Sequence, residues 1–262
     1  MVEPGWLLSP PGRPYLASIL HKNQRRVFGL LERPALPPAL SVPTLTYKLF
    51  VSGRSAVGKT ALVATLAGTP VPPTHRETLG TEGTPRGWGV LGGTVGAVGC
   101  RGIEVSTLFW PAIPLGSERP VLFQLQFWDC GESALRKFEH LLPACREEAD
   151  AILLVFSFTD RASFAELPAR LARVLQPSED PLRVVVGTRF DLCPRTAVTE
   201  ADVAALEDSW GLRVLRVGGG CGVGREGVAR VAPLLDALVG QLWQRDQMAA
   251  GVSPEGRGSP QD

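Results

Sequence analysis

The sequence predicts an α/β domain in which a six-stranded, mostly parallel sheet carries helices on both faces. From Thr46 onward, short β-branched or aromatic runs alternate with segments of helical periodicity, and several of the runs are continuously apolar. Such strands are typical of parallel sheets that are buried on both sides. Because these sheets bind ligands beyond the carboxyl ends of their strands, function is to be sought in the loops that follow those ends.

The predicted strands are short, and helical or turn patterns separate them. They cover residues 47–52, 104–110, 121–128, 152–158, 184–187 and 213–217. The predicted helices cover residues 59–67, 134–142, 163–175, 200–210 and 228–244. Strand and helix thus alternate over residues 46–246, which we take as the main domain, and a disordered tail is expected at 247–262.

A separate N-terminal extension is predicted over residues 1–45, because prolines at 34, 37, 38 and 43 interrupt regular structure before the domain. Apolar residues recur at near-helical spacing between Tyr15 and Leu31, with basic residues such as Lys22 and Arg25 between them. This pattern predicts a basic amphipathic helix. Two interpretations stay open: the helix packs back on its own domain, or it docks on a partner or an anionic membrane.

The composition argues against several classes of protein. The chain has 27 Lys and Arg against 26 Asp and Glu, and a net charge of +1 is unlike that of a nucleic-acid binder. The longest apolar run, residues 151–158, is far shorter than the about 20 residues that a membrane-spanning helix needs. The five cysteines include no Cys-x-x-Cys pair, so we expect free thiols in the cytoplasm and no zinc site.

A phosphate-binding loop is the strongest motif in the chain. Residues 53–60 read Gly-Arg-Ser-Ala-Val-Gly-Lys-Thr, follow the first predicted strand and open a predicted helix. The glycines allow the loop to bend around a phosphate, whose oxygens meet backbone N–H groups at a helix N-terminus. Lys59 is expected to reach the β- and γ-phosphates of a nucleotide, and the Thr60 hydroxyl to bind Mg²⁺.

Three further features make the chain resemble the Ras-like small GTPases. Residues 127–132, Phe-Trp-Asp-Cys-Gly-Glu, look like the third-strand motif of Rab-type members. Residues 187–191, Gly-Thr-Arg-Phe-Asp, look like the guanine-specificity motif. Thr78 follows Lys59 by 19 residues, the spacing of the switch I threonine. The resemblance implies the P-loop small-GTPase fold.

The resemblance also implies a site for GTP or GDP with Mg²⁺. Asp191 can accept hydrogen bonds from both N1–H and the exocyclic amino group of guanine, a pair that adenine cannot present, and Arg189 could stack on the base. Asp129 would hold Mg²⁺ through a water, and the Gly131 N–H would sense a γ-phosphate. The implied nucleotide-binding residues are Ser55, Ala56, Val57, Gly58, Lys59, Thr60, Ala61, His75, Thr78, Gly131, Thr188, Arg189 and Asp191, and the implied metal ligands are Thr60, Thr78 and Asp129.

Departures from the family pattern bear on hydrolysis and on the base. Residues 129–131 read Asp-Cys-Gly, one residue shorter than the usual motif, and Glu132 stands where hydrolytic members carry the glutamine that orients water. A carboxylate there repels the γ-phosphate and cannot donate a hydrogen bond, so we name no catalytic residue and expect weak GTPase activity at most. The family's Ser-Ala-Lys loop is missing, and residues 217–220, Val-Gly-Gly-Gly, stand near its place.

A glycine-rich insert separates Thr78 from the second predicted strand. Eight of the 29 glycines fall between Thr81 and Gly102, and the segment shows no periodicity. We therefore expect a disordered loop at 81–102. Two other interpretations stay open: a new effector loop beside the switch, or an unspliced stretch of translated sequence.

Residues 25–34, 127–135 and 156–164 are most similar to a Rem/Rab-like branch of the family that acts in ciliogenesis and planar polarity. That resemblance implies partners similar to the planar-polarity effectors Inturned and Fuzzy, with the chain as a monomeric GTPase in a hetero-complex. It also implies a role in vesicle traffic and exocytosis at the ciliary basal body, on the cytoskeleton. Because Val2 follows Met1 and the last cysteine is Cys221, we expect no lipid anchor and only indirect membrane contact.

Three functions compete on these observations. The first is a GTP-dependent switch in which the bound nucleotide orders Thr78 and residues 129–132. The second is a nucleotide-independent pseudo-GTPase module, which Glu132 and the shortened motif favour. The third, a P-loop kinase or ATPase, is the weakest, because nothing resembles an acceptor-substrate lid and Asp191 stands where a guanine reader would.

Overall fold

The computed structural model describes residues 1–20, 30–38, 41–69, 103–131, 146–175, 180–192, 196–218, 222 and 224–251. Within these residues the strands are β1 (Thr44–Gly53), β2 (Ile103–Ala112), β3 (Val121–Cys130), β4 (Ala151–Ser157), β5 (Leu182–Thr188) and β6 (Val214–Arg216). The α-helices are α1 (Arg13–Leu20), α2 (Lys59–Ala67), α3 (Arg161–Ala165), α4 (Leu167–Val174), α5 (Glu200–Trp210) and α6 (Gly224–Ala249). In the same ranges, 3₁₀ turns lie at Trp6–Leu8 and Phe190–Leu192.

The six strands form one sheet in the order β2-β3-β1-β4-β5-β6. β2 runs antiparallel to β3, and the other neighbouring strands are parallel. The parallel strands therefore end at one edge of the sheet, where the loops that follow β1, β3 and β5 come together. The predicted six-stranded, mostly parallel sheet is confirmed.

Helices cover both faces of the sheet, because side chains alternate along each strand. In β1, Leu49 and Val51 belong to one hydrophobic cluster and Phe50 belongs to the other. The first cluster includes residues of α1, α2 and α6, and the second includes residues of α4 and α5. β4 lies between them and is buried along its whole length. This double burial explains the continuously apolar sequence of β4.

The predicted helix at 163–175 is two helices in the structure. The Asp160 side chain caps α3 by accepting hydrogen bonds from the N–H groups of Ala162 and Ser163. α4 then begins at Leu167 with Pro168 in its first turn. Proline lacks an N–H and is favoured at a helix start, so the chain restarts its helix there. The predicted helices 59–67 and 200–210 match α2 and α5, whereas 134–142 lies outside the described residues.

The N-terminal helix packs onto the domain. Tyr15, Leu16 and Ile19 of α1 are buried, and they belong to the same hydrophobic cluster as residues of α2 and α6. The segment ahead of α1 contributes buried Val2 and Trp6 to that cluster. The described part of the extension thus shares a core with residues 46–246, while the basic stretch around Lys22 lies outside the described residues. No helix of the described ranges is both long and apolar enough to span a membrane.

Asp236 of α6 fastens the N-terminal segment to β2. Its side chain accepts hydrogen bonds from the Gly5 N–H and from Trp110 Nε1–H, each at 2.9 Å. Nearby, the Glu3 N–H donates to the Ile113 carbonyl oxygen at 2.8 Å. Burial raises the pKa of Asp236, although the two hydrogen bonds act in the opposite direction. The first residues therefore close the edge of the sheet that lies opposite the loops after β1, β3 and β5.

Candidate nucleotide-binding site

The loop at 53–60 leaves the end of β1 and enters α2 at Lys59. Gly53 approaches β4 so closely that a Cβ there would lie 2.4 Å from the Val155 carbonyl oxygen. Gly58 and Ala56 both have positive φ angles, of 95° and 66°. This conformation is unfavourable for alanine and persists only where the surroundings fix it. The loop is therefore tightly constrained, and its first glycine is a steric requirement.

Lys59 lies beneath the loop that it terminates. It is 8% exposed, and its Nζ donates to the carbonyl oxygens of Gly53 and Arg54 at 2.9 and 3.1 Å. These acceptors compensate for the burial of an ammonium group, which is costly without partners. Its positive charge adds to the partial charge at the N-terminus of α2. A helix N-terminus with a lysine beside it is suited to bind a phosphate.

Thr60 and Asp129 connect this loop to the end of β3. Thr60 Oγ1 donates to Asp129 Oδ2 at 2.5 Å, and Asp129 pairs in parallel register with Val51 of β1. Asp129 is 3% exposed. Burial raises the pKa of its carboxyl, while the Thr60 hydrogen bond and the Lys59 charge lower it. Thr60 and Asp129, the two predicted metal ligands that lie within the described residues, are therefore in direct contact.

These residues fit a magnesium ion. Asp129 Oδ1 is buried and has no hydrogen-bond donor among the described residues, and an unpaired buried carboxylate oxygen is costly. A hydroxyl and a carboxylate are hard oxygen ligands of the kind that Mg²⁺ prefers. A cation at this point would compensate the unpaired oxygen.

Glu104 is a second carboxylate near Asp129 that the sequence did not reveal. The antiparallel register of β2 and β3 places Glu104 directly opposite Asp129. Partial burial raises the pKa of Glu104, and the charge of Asp129 raises it further. Finding this neighbour requires the register of two strands, which no local motif encodes.

Thr188 and Arg189, at the end of β5, contact the phosphate loop from the other side. Thr188 is buried; its hydroxyl donates to the Val57 carbonyl oxygen at 2.6 Å and also lies 3.1 Å from the Phe156 carbonyl oxygen. Arg189 Nη2 donates to the Ala56 carbonyl oxygen at 2.9 Å. The threonine that replaces the family's more frequent asparagine therefore ties two loops together.

Asp191 follows these residues in the 3₁₀ turn Phe190–Leu192 and is exposed. The turn is anchored, because the Phe190 N–H donates to the Val217 carbonyl oxygen at 3.2 Å. The Phe190 ring also packs edge-on against Phe158, with 5.1 Å between centroids. The carboxylate of Asp191 thus sits on a fixed turn at the edge of the sheet where the phosphate loop lies.

The structure brings much of the predicted site together. Lys59, Thr60 and Asp129 form one group, and Thr188 and Arg189 contact the loop through the backbone of Val57 and Ala56. The other predicted residues that are described lie in the loop, in α2, or just after β3 and β5: Ser55, Gly58, Ala61, Gly131 and Asp191. His75, Thr78, Glu132 and the insert at 81–102 lie outside the described residues, and their roles stay predictions.

Comparisons with known proteins show which family the chain belongs to. Residues 119–218 match the Ras family. Over 261 residues the chain is 45% identical to ciliogenesis and planar polarity effector 2 of Xenopus laevis, with 96% of each chain covered. Over 263 residues it is 48% identical to the protein of the same name from Homo sapiens, with 97% of this chain and 93% of that one covered. The chain belongs to the ciliogenesis and planar polarity effector 2 family.

A more distant similarity connects the chain to a GTP-binding protein. The chain is 27% identical over 156 residues to GTP-binding protein REM 2 of Rattus norvegicus, which covers 59% of this chain and 37% of that protein. The resemblance to Ras-like small GTPases is confirmed, and the sheet and helices form a Ras-like P-loop α/β fold. The Ras family match begins at residue 119, so the geometry of the loop at 53–60 is a separate indication of the same fold.

Proposed function

We propose that the protein binds guanine nucleotides with Mg²⁺ and works as a molecular switch whose GTP hydrolysis is slow or depends on a partner. The hydrogen bond between Thr60 and Asp129, beside the buried ammonium of Lys59, carries this proposal. It joins the start of α2 to the end of β3. A hydroxyl and a carboxylate next to a lysine are the groups that a phosphate and its Mg²⁺ require.

The phosphates would lie against the loop at 53–60. Its N–H groups and the Lys59 ammonium supply donors and positive charge. Thr60 would ligate Mg²⁺ directly, Asp129 would hold it through a water, and Thr78 would add a further ligand. When bound, the metal neutralises charge on the β- and γ-phosphates. Gly131, just beyond Asp129, would sense a γ-phosphate through its N–H.

The base would be read by Asp191. Its carboxylate is exposed on an anchored turn and can accept from N1–H and the 2-amino group of guanine. The 6-amino group of adenine and its unprotonated N1 offer no such pair of donors. Arg189, whose guanidinium reaches the Ala56 carbonyl oxygen, links the base-reading turn to the phosphate loop. Both halves of the nucleotide would thus be held by connected loops.

Hydrolysis would be slow without help from a partner. Even a Ras-type protein with the catalytic glutamine hydrolyses GTP at only about 3–5 × 10⁻⁴ s⁻¹. Glu132 has no hydrogen to donate when ionised and would repel the γ-phosphate. The switch would therefore stay in its GTP form until a partner supplies the missing group. A single-turnover rate equal to or above the Ras-type value would contradict this part.

The names of the relatives suggest a biological setting. Proteins called ciliogenesis and planar polarity effector 2 cover nearly the whole chain, so we extend a role in ciliogenesis and planar polarity to this protein. We propose that it acts as a monomeric GTPase in a complex with effectors resembling Inturned and Fuzzy, in targeted vesicle traffic and exocytosis. Its site of action would be the cytoplasm at the ciliary basal body, on the cytoskeleton, with no nucleic acid and only indirect membrane contact.

A nucleotide-independent interaction module is the second candidate. The shortened motif at 129–131, Glu132 and the loss of the Ser-Ala-Lys loop favour it. The two candidates differ in what Lys59→Ala does. In a switch, loss of the phosphate-binding ammonium weakens nucleotide binding by about 100-fold and releases the partners. In a module, the same change leaves partner binding unaltered.

A swap of base specificity tests the switch most sharply. Xanthine carries a carbonyl at C2 where guanine carries an amino group, so an amide side chain that can donate complements it. Asp191→Asn should weaken GDP binding and strengthen binding of xanthosine diphosphate, each by about tenfold. Asp208→Asn, at an exposed position in α5, is the matched control and should change neither affinity. Unchanged GDP affinity in Asp191→Asn would contradict guanine reading by Asp191.

A further inference from the structure

Gly218 lies against the carboxylate that would read the base. A Cβ placed on Gly218 would stand 3.2 Å from the Cβ of Asp191 and 3.5 Å from its Cγ and Oδ1. The φ angle of Gly218 is outside the left-handed region, so its backbone conformation does not itself demand glycine. The requirement for a small residue here comes from the neighbour.

The backbone on both sides of the contact between Asp191 and Gly218 is held by hydrogen bonds. The Phe190 N–H is held by the Val217 carbonyl oxygen at 3.2 Å, and the Leu192 N–H is held by the Arg189 carbonyl oxygen at 3.2 Å. The segment that carries Gly218 is fixed as well, because the Val217 N–H donates to the Gly187 carbonyl oxygen at 2.8 Å. The steric clash of an added methyl group with Asp191 would therefore be relieved mainly by displacement of the Asp191 side chain.

The surroundings of Phe190 make this arrangement stiffer. The Arg216 guanidinium lies 5.8 Å above the Phe190 ring, and Arg216 Nη2 also pairs with Glu200 Oε2 at 2.7 Å. The strand end that carries residues 216–218 is thus attached to the base-reading turn by a ring contact as well as by backbone hydrogen bonds. Both sides of the contact between Gly218 and Asp191 are held in place.

We infer that Gly218 is a specificity-determining positioning residue, which sets the place of the Asp191 carboxylate by having no side chain. The inference rests on the proposed guanine binding and extends it to the segment that replaces the family's Ser-Ala-Lys loop. A carboxylate that accepts two hydrogen bonds from one base edge tolerates little displacement, because both donors are fixed in the ring. Gly218 therefore acts on the discrimination between bases rather than on the binding of phosphates.

The experiment compares GDP with inosine diphosphate, which lacks the 2-amino group and so offers Asp191 one donor instead of two. Gly218→Ala should lower the preference for GDP over inosine diphosphate by about tenfold, the effect of losing one charge-assisted hydrogen bond. Gly116→Ala is the control for the added methyl group, because a Cβ at Gly116 has no neighbour within 4 Å, although the φ of 88° makes this substitution strained. The same methyl there should leave the preference unchanged, whatever its effect on stability.

A double variant tests whether Gly218 acts through Asp191. On an Asp191→Ala background, Gly218→Ala should cause no further loss of preference. If the two effects add, or if Gly218→Ala keeps the wild-type preference within about twofold, the inference is wrong. If the wild-type chain binds no guanine nucleotide, the proposed function itself fails, which is a different result.

A measurement on the unmodified chain remains decisive if the variant does not fold. In ¹⁵N-labelled protein, GDP should shift the amide resonances of Gly218 and Asp191 more than inosine diphosphate does. Equal shifts from the two nucleotides would overturn the inference.

Discussion

Two buried aspartates at opposite ends of the sheet show how differently the molecule uses the same side chain. Asp236 is 8% exposed, and each of its carboxylate oxygens accepts a hydrogen bond, one from the Gly5 N–H and the other from Trp110 Nε1–H. Asp129 is 3% exposed, and its Oδ2 accepts a hydrogen bond from the Thr60 hydroxyl. Its Oδ1 has no donor among the described residues. Each oxygen of the Asp236 carboxylate thus has a donor that offsets part of the cost of its burial, whereas Asp129 leaves one buried oxygen without a described donor, and that oxygen is costly until a ligand completes it. The first arrangement belongs to the contacts of Asp236 with Gly5 and Trp110, which we call the closure, and the second to the candidate nucleotide-binding site.

The largest expected effect is on the closure. Asp236→Ala should lower the free energy of unfolding by about 3 kcal/mol, because it leaves the buried Trp110 Nε1–H and the partly buried Gly5 N–H without an acceptor. Nucleotide affinity should hardly change, since Asp236 contacts Gly5 and Trp110, and Trp110 pairs with β3 near the start of that strand, away from the strand ends that carry the loop at 53–60. Urea unfolding followed by tryptophan fluorescence measures the loss. Asp208→Ala, at an exposed site, is the control. An equal loss of stability in both variants would show that the hydrogen bonds of Asp236 do not stabilise the closure.

The next effect concerns Thr188, which holds the loop at 53–60 from the end of β5. Thr188→Val should destabilise the chain by about 1.5 kcal/mol, because the Val57 carbonyl oxygen loses the hydroxyl that donates to it. The phosphate loop would lose a support, so nucleotide affinity should fall as well. Thr188→Ser keeps the hydroxyl and should retain most of both properties. If the serine and valine variants behave alike in thermal melts, the hydrogen bond is not what matters.

A smaller effect of opposite sign is expected at Asp129. Without nucleotide or Mg²⁺, Asp129→Asn should raise stability by about 1 kcal/mol, because it removes a buried charge that is only half paired. The same variant should lose the Mg²⁺ dependence of nucleotide binding. Chemical denaturation and nucleotide titration in Mg²⁺ and in EDTA measure the two changes. A stability loss as large as that of Asp236→Ala would abolish the distinction between the two aspartates.

The pH dependence of stability gives the smallest effect. Burial raises the pKa of Asp129 above the ordinary value of 3.8, so the folded chain binds this proton more tightly than the unfolded chain. Stability therefore falls as the pH rises from the ordinary value through the raised one, and it levels off above. Asp129→Asn lacks this loss, so its stability advantage over the wild type should grow as the pH rises from the ordinary value of 3.8 through the raised pKa. An advantage that is independent of pH would exclude this cause.

Sequence motifs located the residues at the end of the sheet that carries the candidate site, but not those of the closure, for a physical reason. The loop at 53–60, Asp129 and residues 188–191 are local motifs next to strand ends, so a short stretch of sequence identifies each of them. The contact between Gly5 and Asp236 joins residues 231 positions apart and follows no periodic pattern. The register that sets Glu104 opposite Asp129 is likewise absent from either strand alone. Long-range pairing, rather than any weakness of the local signals, limited the prediction.

Element boundaries show the same limit on a smaller scale. The helices at 59–67 and 200–210 end at glycines with positive φ, Gly68 and Gly211, which a sequence reveals. β1 is longer than predicted, Thr44–Gly53 instead of 47–52, because β3 pairs with it from Thr44 onward. Caps are encoded locally, whereas strand lengths depend on neighbours.

Nucleotide binding by the wild-type chain tests the account most directly. Titration with GDP and ATP, each in Mg²⁺ and in EDTA, tests three proposed interactions in one experiment. These are phosphate binding by the loop at 53–60, the Mg²⁺ site, and recognition of the base by Asp191. The account predicts that GDP binds, that ATP binds at least about 100-fold more weakly, and that EDTA weakens GDP binding. Equal affinity for the two nucleotides, or no binding of either, would contradict it.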